Sequence, residues 1–141
     1  METFKFQHTV KFSEVDQAGV VFFSRYFEIA HSSLEAFFHH LGWGFAKVFS
    51  EGKDGFPLIH AEANYMAPAR LGDTLEVGLS LSRISESSFT VSYDFRSTDG
   101  KPAARLSTNH VWVELKTFSK APIPTELKTA LQDYLAEDLA A

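Results

Sequence analysis

The sequence predicts an α+β fold in which one long helix packs on an antiparallel sheet. Three observations carry that prediction. Apolar and polar residues alternate with a period of two in residues 4–12 and again in "SFTVSYDF". Apolar residues from Phe23 to Leu41 recur at spacings of three and four. The segments run β-α-β-β-β-β with a small terminal helix, and no internal repeat or low-complexity stretch interrupts them.

Along residues 4–12, Phe4, Phe6, His8, Val10 and Phe12 alternate with Lys5, Gln7, Thr9 and Lys11, so one face of this strand goes to a core. "SEVDQAGVVFFSRYF" then sets Asp16 and Gly19 in a turn before the helix. Phe23, Phe27, Ala30, Leu34, Phe37 and Leu41 form one stripe along a helix of about five turns. Ser24 is placed to N-cap this helix and Gly42 to end it. "WGFAKVFSEGKDGFP", with three glycines and a proline, reads as a connection holding a short helical piece. Strands follow at Leu58–Tyr65, Thr74–Ile84, Ser88–Ser97 and residues 105–116, the last preceded by the Asp-Gly hairpin turn of "STDGK". Leu127, Leu131, Tyr134 and Leu135 have the spacing of a short C-terminal helix.

A chain of 141 residues, 45% hydrophobic and 14% aromatic, can bury a core and is read as a single domain, 1–141. A net charge of -5 with scattered lysines and arginines argues against a nucleic-acid groove or a polybasic membrane patch. Without cysteine there is no disulfide, thiolate nucleophile or Cys-type zinc site. "METFKFQHTVKF" has no apolar h-region, and no run approaches the ~18 residues of a membrane span, so a soluble cytoplasmic protein is the default expectation. One helix covers one sheet face only in part, and the remaining apolar edges point to a homo-oligomer, dimer or tetramer.

The six histidines show no His-x-x-x-His pair with a following acid, so no metal is expected. Gly-x-Ser-x-Gly, Walker-type and Gly-x-Gly-x-x-Gly motifs are also absent. What remains is Asp16 beside an aromatic helix start, where first-turn amides lack partners and the dipole end is positive. Taken alone, an Asp-x-x-Gly is ordinarily a turn or helix cap.

"FSEVDQAGVVFFSRYF" resembles the signature of the hot-dog-fold acyl-CoA thioesterases of the 4-hydroxybenzoyl-CoA thioesterase family, and "NYMAPARLGDTLEV" and "SSFTVSYDF" extend the likeness over most of residues 6–115. The resemblance implies a central helix wrapped by an antiparallel sheet. It implies that Asp16 is the catalytic carboxylate, as nucleophile or as general base, beside Gly19. It implies too that an amide near Phe23 faces the thioester carbonyl, where one fixed donor can be worth about 3 kcal/mol of barrier.

His31 lies on the flank of the helix stripe and Glu35 one turn further out. The position matching His31 is an aspartate in the 4-hydroxybenzoyl enzymes, so a different acyl group is implied. "AHSSLE" and "FPLIHAEANYMAPARLGDTL" are similar instead to the 1,4-dihydroxy-2-naphthoyl-CoA hydrolases of quinone synthesis, with His31, Glu35 and His60 matching. Phe22, Phe23, Phe27 and Trp43 could wall a flat aryl slot, with His31 or His60 meeting a ring hydroxyl. Coenzyme A enters as part of the substrate, and no separate cofactor is expected. The basic run that holds its phosphates in the 4-hydroxybenzoyl enzymes is here "SES", residues 85–87, leaving Arg70, Arg83 and Lys101 as unaligned candidates. The alternatives are a 4-hydroxybenzoyl-, short- or medium-chain acyl-CoA or acyl-carrier-protein thioesterase, and a non-catalytic acyl-CoA-binding domain.

Overall fold

The computed structural model describes residues 2–136. Its elements are β1 (Phe4–Thr9), a 3-10 turn (Phe12–Glu14), α1 (Arg25–His40), α2 (Phe45–Val48), β2 (Asp54–Gly55), β3 (Leu58–Tyr65), β4 (Thr74–Ile84), β5 (Ser88–Ser97), β6 (Pro102–Val111), β7 (Val113–Glu114), β8 (Ser119–Lys120) and α3 (Thr125–Gln132). Five strands form one antiparallel sheet in the order β1-β4-β5-β6-β3, and β2-β7-β8 form a small second sheet. This is the expected hot-dog arrangement, with α1 laid on the large sheet.

Period-two patterning settles which face α1 covers. In β5, Phe89, Val91, Tyr93 and Phe95 are buried, while their alternates are only half-buried. From α1, Tyr26, Ile29, Ala30, Ser33, Leu34, Phe37 and Phe38 go down onto that face, each large apolar side chain contributing about 1.5–3 kcal/mol by burial. Gly42 ends α1 as expected. At φ 85° it takes the left-handed conformation, its amide donates to His39 O at 3.0 Å, and the Trp43 amide donates to Phe38 O at 2.8 Å, a complete Schellman cap. Gly100, at φ 85°, likewise completes the expected Asp-Gly turn between β5 and β6.

Several expectations are corrected. The first strand stops at Thr9, and Phe12, expected on its inward face, is 80% exposed in the 3-10 turn. Helix α1 starts at Arg25, so Phe23 is not part of its buried stripe but 60% exposed. Ser24 occupies the N-cap position without a side-chain capping bond. The final strand breaks at Trp112, whose buried ring stacks on Phe56 at 5.7 Å, and the chain then enters the second sheet.

Strand β3 is an outer strand of the large sheet, and seven of its eight residues are exposed. Such a strand leaves a row of backbone donors and acceptors unpaired. Among the described residues no helix is long and apolar enough to cross a membrane.

Candidate active site

The loop between β1 and α1 is a short hairpin. Val15 bridges Val21, the Asp16 amide donates to Val20 O at 2.9 Å, and the Phe22 amide donates to Glu14 O at 2.9 Å. Its tip is a β-turn in which the Gly19 amide donates to Asp16 O at 3.0 Å, with Gly19 at φ 77°. Only a glycine takes that conformation at little cost, which accounts for its spacing from Asp16. The base is pinned by Glu14, whose carboxylate meets His8 Nε2 at 2.8 Å and accepts from the Lys11 amide at 2.8 Å.

Asp16 caps this turn with one of its two carboxylate oxygens. Oδ1 accepts from the Ala18 amide at 2.8 Å and the Val20 amide at 3.4 Å, whereas Oδ2 has no partner among the described residues. The residue is exposed, in an open hollow with Phe12, Val15, Gln17, Gly19 and Leu71.

At the base of the loop, the Phe22 carbonyl accepts from the Arg25 amide at 2.9 Å, and Tyr65 of β3 donates to the Phe23 carbonyl at 3.0 Å. The amides of Phe23 and Ser24, on the far sides of those two peptides, have no acceptor among the described residues. Two oriented, uncommitted N–H groups at a helix start can stabilise a developing oxyanion. Asp16 stands two residue pairs along the hairpin from Phe22, about 7 Å by strand rise.

His31 lies further along α1, at a cavity of about 280 Å³ lined by Phe27, Ala30, Phe56, Leu58, Tyr93, Thr108 and His110. A second hollow of about 350 Å³ shares His31 and Phe56 and adds Phe45, Phe49 and Phe118. Phe27 therefore does line the His31 cavity. Phe22 and Phe23 pack on each other at 4.8 Å at the loop base, and Phe23 borders a separate hollow with Tyr26 and Tyr65. Glu35 faces a different hollow beside Phe6 and His39, and His60, on β3, sits 3.6 Å from Glu62 outside the His31 cavity. Of the three unaligned cations, Arg70 neighbours the Asp16 turn through its bridge to Val20; Arg83 is exposed on β4, and Lys101 lies 3.8 Å from Asp99. No cluster of three metal-ligating side chains occurs among the described residues.

Sequence reasoning missed a buried polar chain on the cavity floor. Tyr93 Oη lies 2.9 Å from Thr108 Oγ1, Thr108 Oγ1 lies 3.0 Å from His110 Nε2, and His110 Nδ1 lies 3.1 Å from the Phe56 carbonyl. Its signal was present: Leu106, Thr108 and His110 share the inward parity of β6, where two polar residues need a reason. Burial pushes the His110 imidazolium down from 6.5 to about 4, with nearby His31 acting the same way and the Phe56 carbonyl opposing. The unfolded chain therefore takes up this proton first on acidification. The contribution, up to about 3 kcal/mol, is full above about pH 6.5 and is lost as pH falls toward about 4. Urea unfolding across that interval should show stability falling with pH, and His110→Gln should flatten the slope.

Comparison with known proteins identifies the family and the fold. Residues 10–131 match the model of the thioesterase-like superfamily. A 1,4-dihydroxy-2-naphthoyl-CoA hydrolase of Synechococcus elongatus is 34% identical over 133 residues, covering 94% of this chain and 97% of its own. The corresponding hydrolase of Synechocystis is 31% identical over 134 residues, covering 94% and 97%. Among solved structures, a 1,4-dihydroxy-2-naphthoyl-CoA thioesterase from Synechocystis superposes with a TM-score of 0.88 at 31% identity, covering 94% of this chain and 97% of that one. A gentisyl-coenzyme A thioesterase superposes with a TM-score of 0.80 at 26% identity, covering 88% and 98%.

Proposed function

The chain belongs to the thioesterase-like superfamily, and from that membership we propose that it hydrolyses an aromatic acyl-CoA, 1,4-dihydroxy-2-naphthoyl-CoA, with Asp16 as the catalytic carboxylate. One observation carries the reading: the loop leaves a carboxylate oxygen of Asp16 and the amides of Phe23 and Ser24 without partners among the described residues. The amides receive the thioester oxygen as it gains charge. Asp16 either attacks the carbonyl carbon, giving a mixed anhydride that water then opens, or takes a proton from the attacking water. In both routes coenzyme A leaves as the thiol and the aryl acid follows. The substrate assignment is supported by the naphthoyl-CoA relatives, which align over nearly the whole chain.

The same reading places the acyl site between two copies of the chain. Helix α1 rises about 1.5 Å per residue, so His31 stands about 9 Å along it from Arg25, and Phe23 lies two residues before the helix begins. The exposed outer strand β3 supports this, since it can pair antiparallel with its twin about a twofold axis. Tyr65, at one end of β3, holds the Phe23 carbonyl, and Leu58, at the other end, lines the His31 cavity. Twofold pairing sets Tyr65 of one protomer near Leu58 of the other, and with it the Asp16 loop of one against the His31 cavity of the other.

Two measurements test this. Free thiol should appear from 1,4-dihydroxy-2-naphthoyl-CoA in equal amount to the free acid; no release would refute the activity. Light scattering at micromolar concentration should give a dimer or a multiple of it, and an active monomer would refute the shared site.

A further inference from the structure

The order of hydrogens along the Tyr93–Thr108–His110 chain follows from its last link. The Phe56 carbonyl can only accept, so Nδ1 of the neutral His110 ring carries the proton and Nε2 is a bare acceptor. Thr108 has one hydroxyl hydrogen, which must go to His110 Nε2. Tyr93 must then donate to Thr108. Every hydrogen in the chain is committed inward. What is left unclaimed is acceptor capacity, one lone pair on Thr108 Oγ1 and those on Tyr93 Oη. His110 is held in place by stacking on Phe89 at 5.1 Å and 17°, so the order rests on a rigid anchor.

All three side chains line the 280 Å³ cavity otherwise walled by Phe27, Ala30, Phe56 and Leu58, with His31 at its edge. A flat apolar slot with a few polar groups on its floor suits an aromatic ring bearing a polar substituent. A floor presenting only lone pairs selects that substituent by its hydrogen.

We propose that Tyr93 and Thr108, oriented by His110, form an acceptor-only floor that reads a phenolic hydroxyl of the acyl group, the one remote from the thioester. This rests on the aryl-CoA reading above and deepens it. A hydroxyl donates into the floor. A ring hydrogen leaves the floor as it was, and a carbonyl oxygen, as in the corresponding quinone, sets lone pair against lone pair. Tyr93 and Thr108 are thus specificity residues and His110 a positioning residue. The hydrolytic step at Asp16 does not involve them.

The test compares kcat/KM for 1,4-dihydroxy-2-naphthoyl-CoA with that for 1-hydroxy-2-naphthoyl-CoA, which lacks the remote hydroxyl. The wild-type protein should favour the dihydroxy substrate by about tenfold or more. Thr108→Val, close to isosteric but without the oxygen, should bring that ratio near one, mainly by slowing the dihydroxy substrate. Thr108→Ser, which keeps the hydroxyl, should restore it, and Tyr93→Phe should lower it. Thermal unfolding of each variant identifies any that fails to fold, and the serine and phenylalanine variants then decide. A ratio that stays high in folded Thr108→Val and Tyr93→Phe overturns the proposal, as does an equal loss on both substrates. If the wild-type protein cleaves aliphatic but no aryl thioesters, the function reading fails and this proposal with it. If it prefers dihydroxynaphthoyl-CoA and the variants keep that preference, only this proposal fails.

Discussion

Asp16→Asn is expected to lower kcat at least about a hundredfold while leaving the fold and substrate binding in place. The substitution separates the two roles the loop gives this residue. Asparagine still offers a side-chain oxygen to the Ala18 and Val20 amides, so the turn closed by Gly19 should survive. It has no carboxylate, so neither an anhydride nor deprotonation of water is within its chemistry. The uncommitted amides at Phe23 and Ser24 remain, and any residual turnover measures what they and binding supply without the acid. Near-normal turnover in a folded variant would make Asp16 a turn acid and nothing more.

His31→Leu is expected to cost dihydroxynaphthoyl-CoA on the order of 5- to 150-fold in kcat/KM and unsubstituted benzoyl- or aliphatic-CoA far less. The range follows from about 1–3 kcal/mol for a substrate hydroxyl left unpaired once the acyl group is buried, His31 itself being exposed in the single chain. His31 is at the mouth of the cavity beneath α1, its ring 5.7 Å from Phe45, with apolar walls on either side. Leucine keeps the apolar contact and deletes the polar one. Equal losses on every substrate would make His31 structural, and no loss on any would remove it from the site.

What could be read from the sequence divides along physical lines. Strand β5 was legible because one face is wholly buried, so each of Phe89, Val91, Tyr93 and Phe95 had to be apolar or find a partner. The end of α1 was legible because a left-handed residue there strongly favours glycine, and Gly42 occupies it. Phe12 and Phe23 were misplaced for the opposite reason. Periodicity counts an aromatic residue as inward-facing, yet both are exposed beside the Asp16 loop. The split of the last strand at Trp112 was hidden because β-propensity continues through it, and only the packing of its ring on Phe56 shows why the chain turns.

The site divides in the same way. Asp16 and Gly19 are three residues apart and their turn is local, so a short motif could carry it. Thr108 and His110 are two residues apart on β6, but Tyr93 reaches Thr108 only through the register of β5 with β6, in which Tyr93 faces Leu106 and Val91 faces Thr108. No sequence window holds that contact. His60 and Glu35 match a related pattern in the sequence, yet within one protomer they lie away from the His31 cavity.

The most direct measurement is kcat/KM for dihydroxynaphthoyl-, 4-hydroxybenzoyl-, benzoyl- and straight-chain acyl-CoA thioesters, taken side by side with the wild-type protein and with Asp16→Asn. The expected order has dihydroxynaphthoyl-CoA first and the aliphatic thioesters last, with every rate collapsing in the Asn variant. A preference for aliphatic chains, or an aryl preference that survives loss of the Asp16 carboxylate, would contradict it.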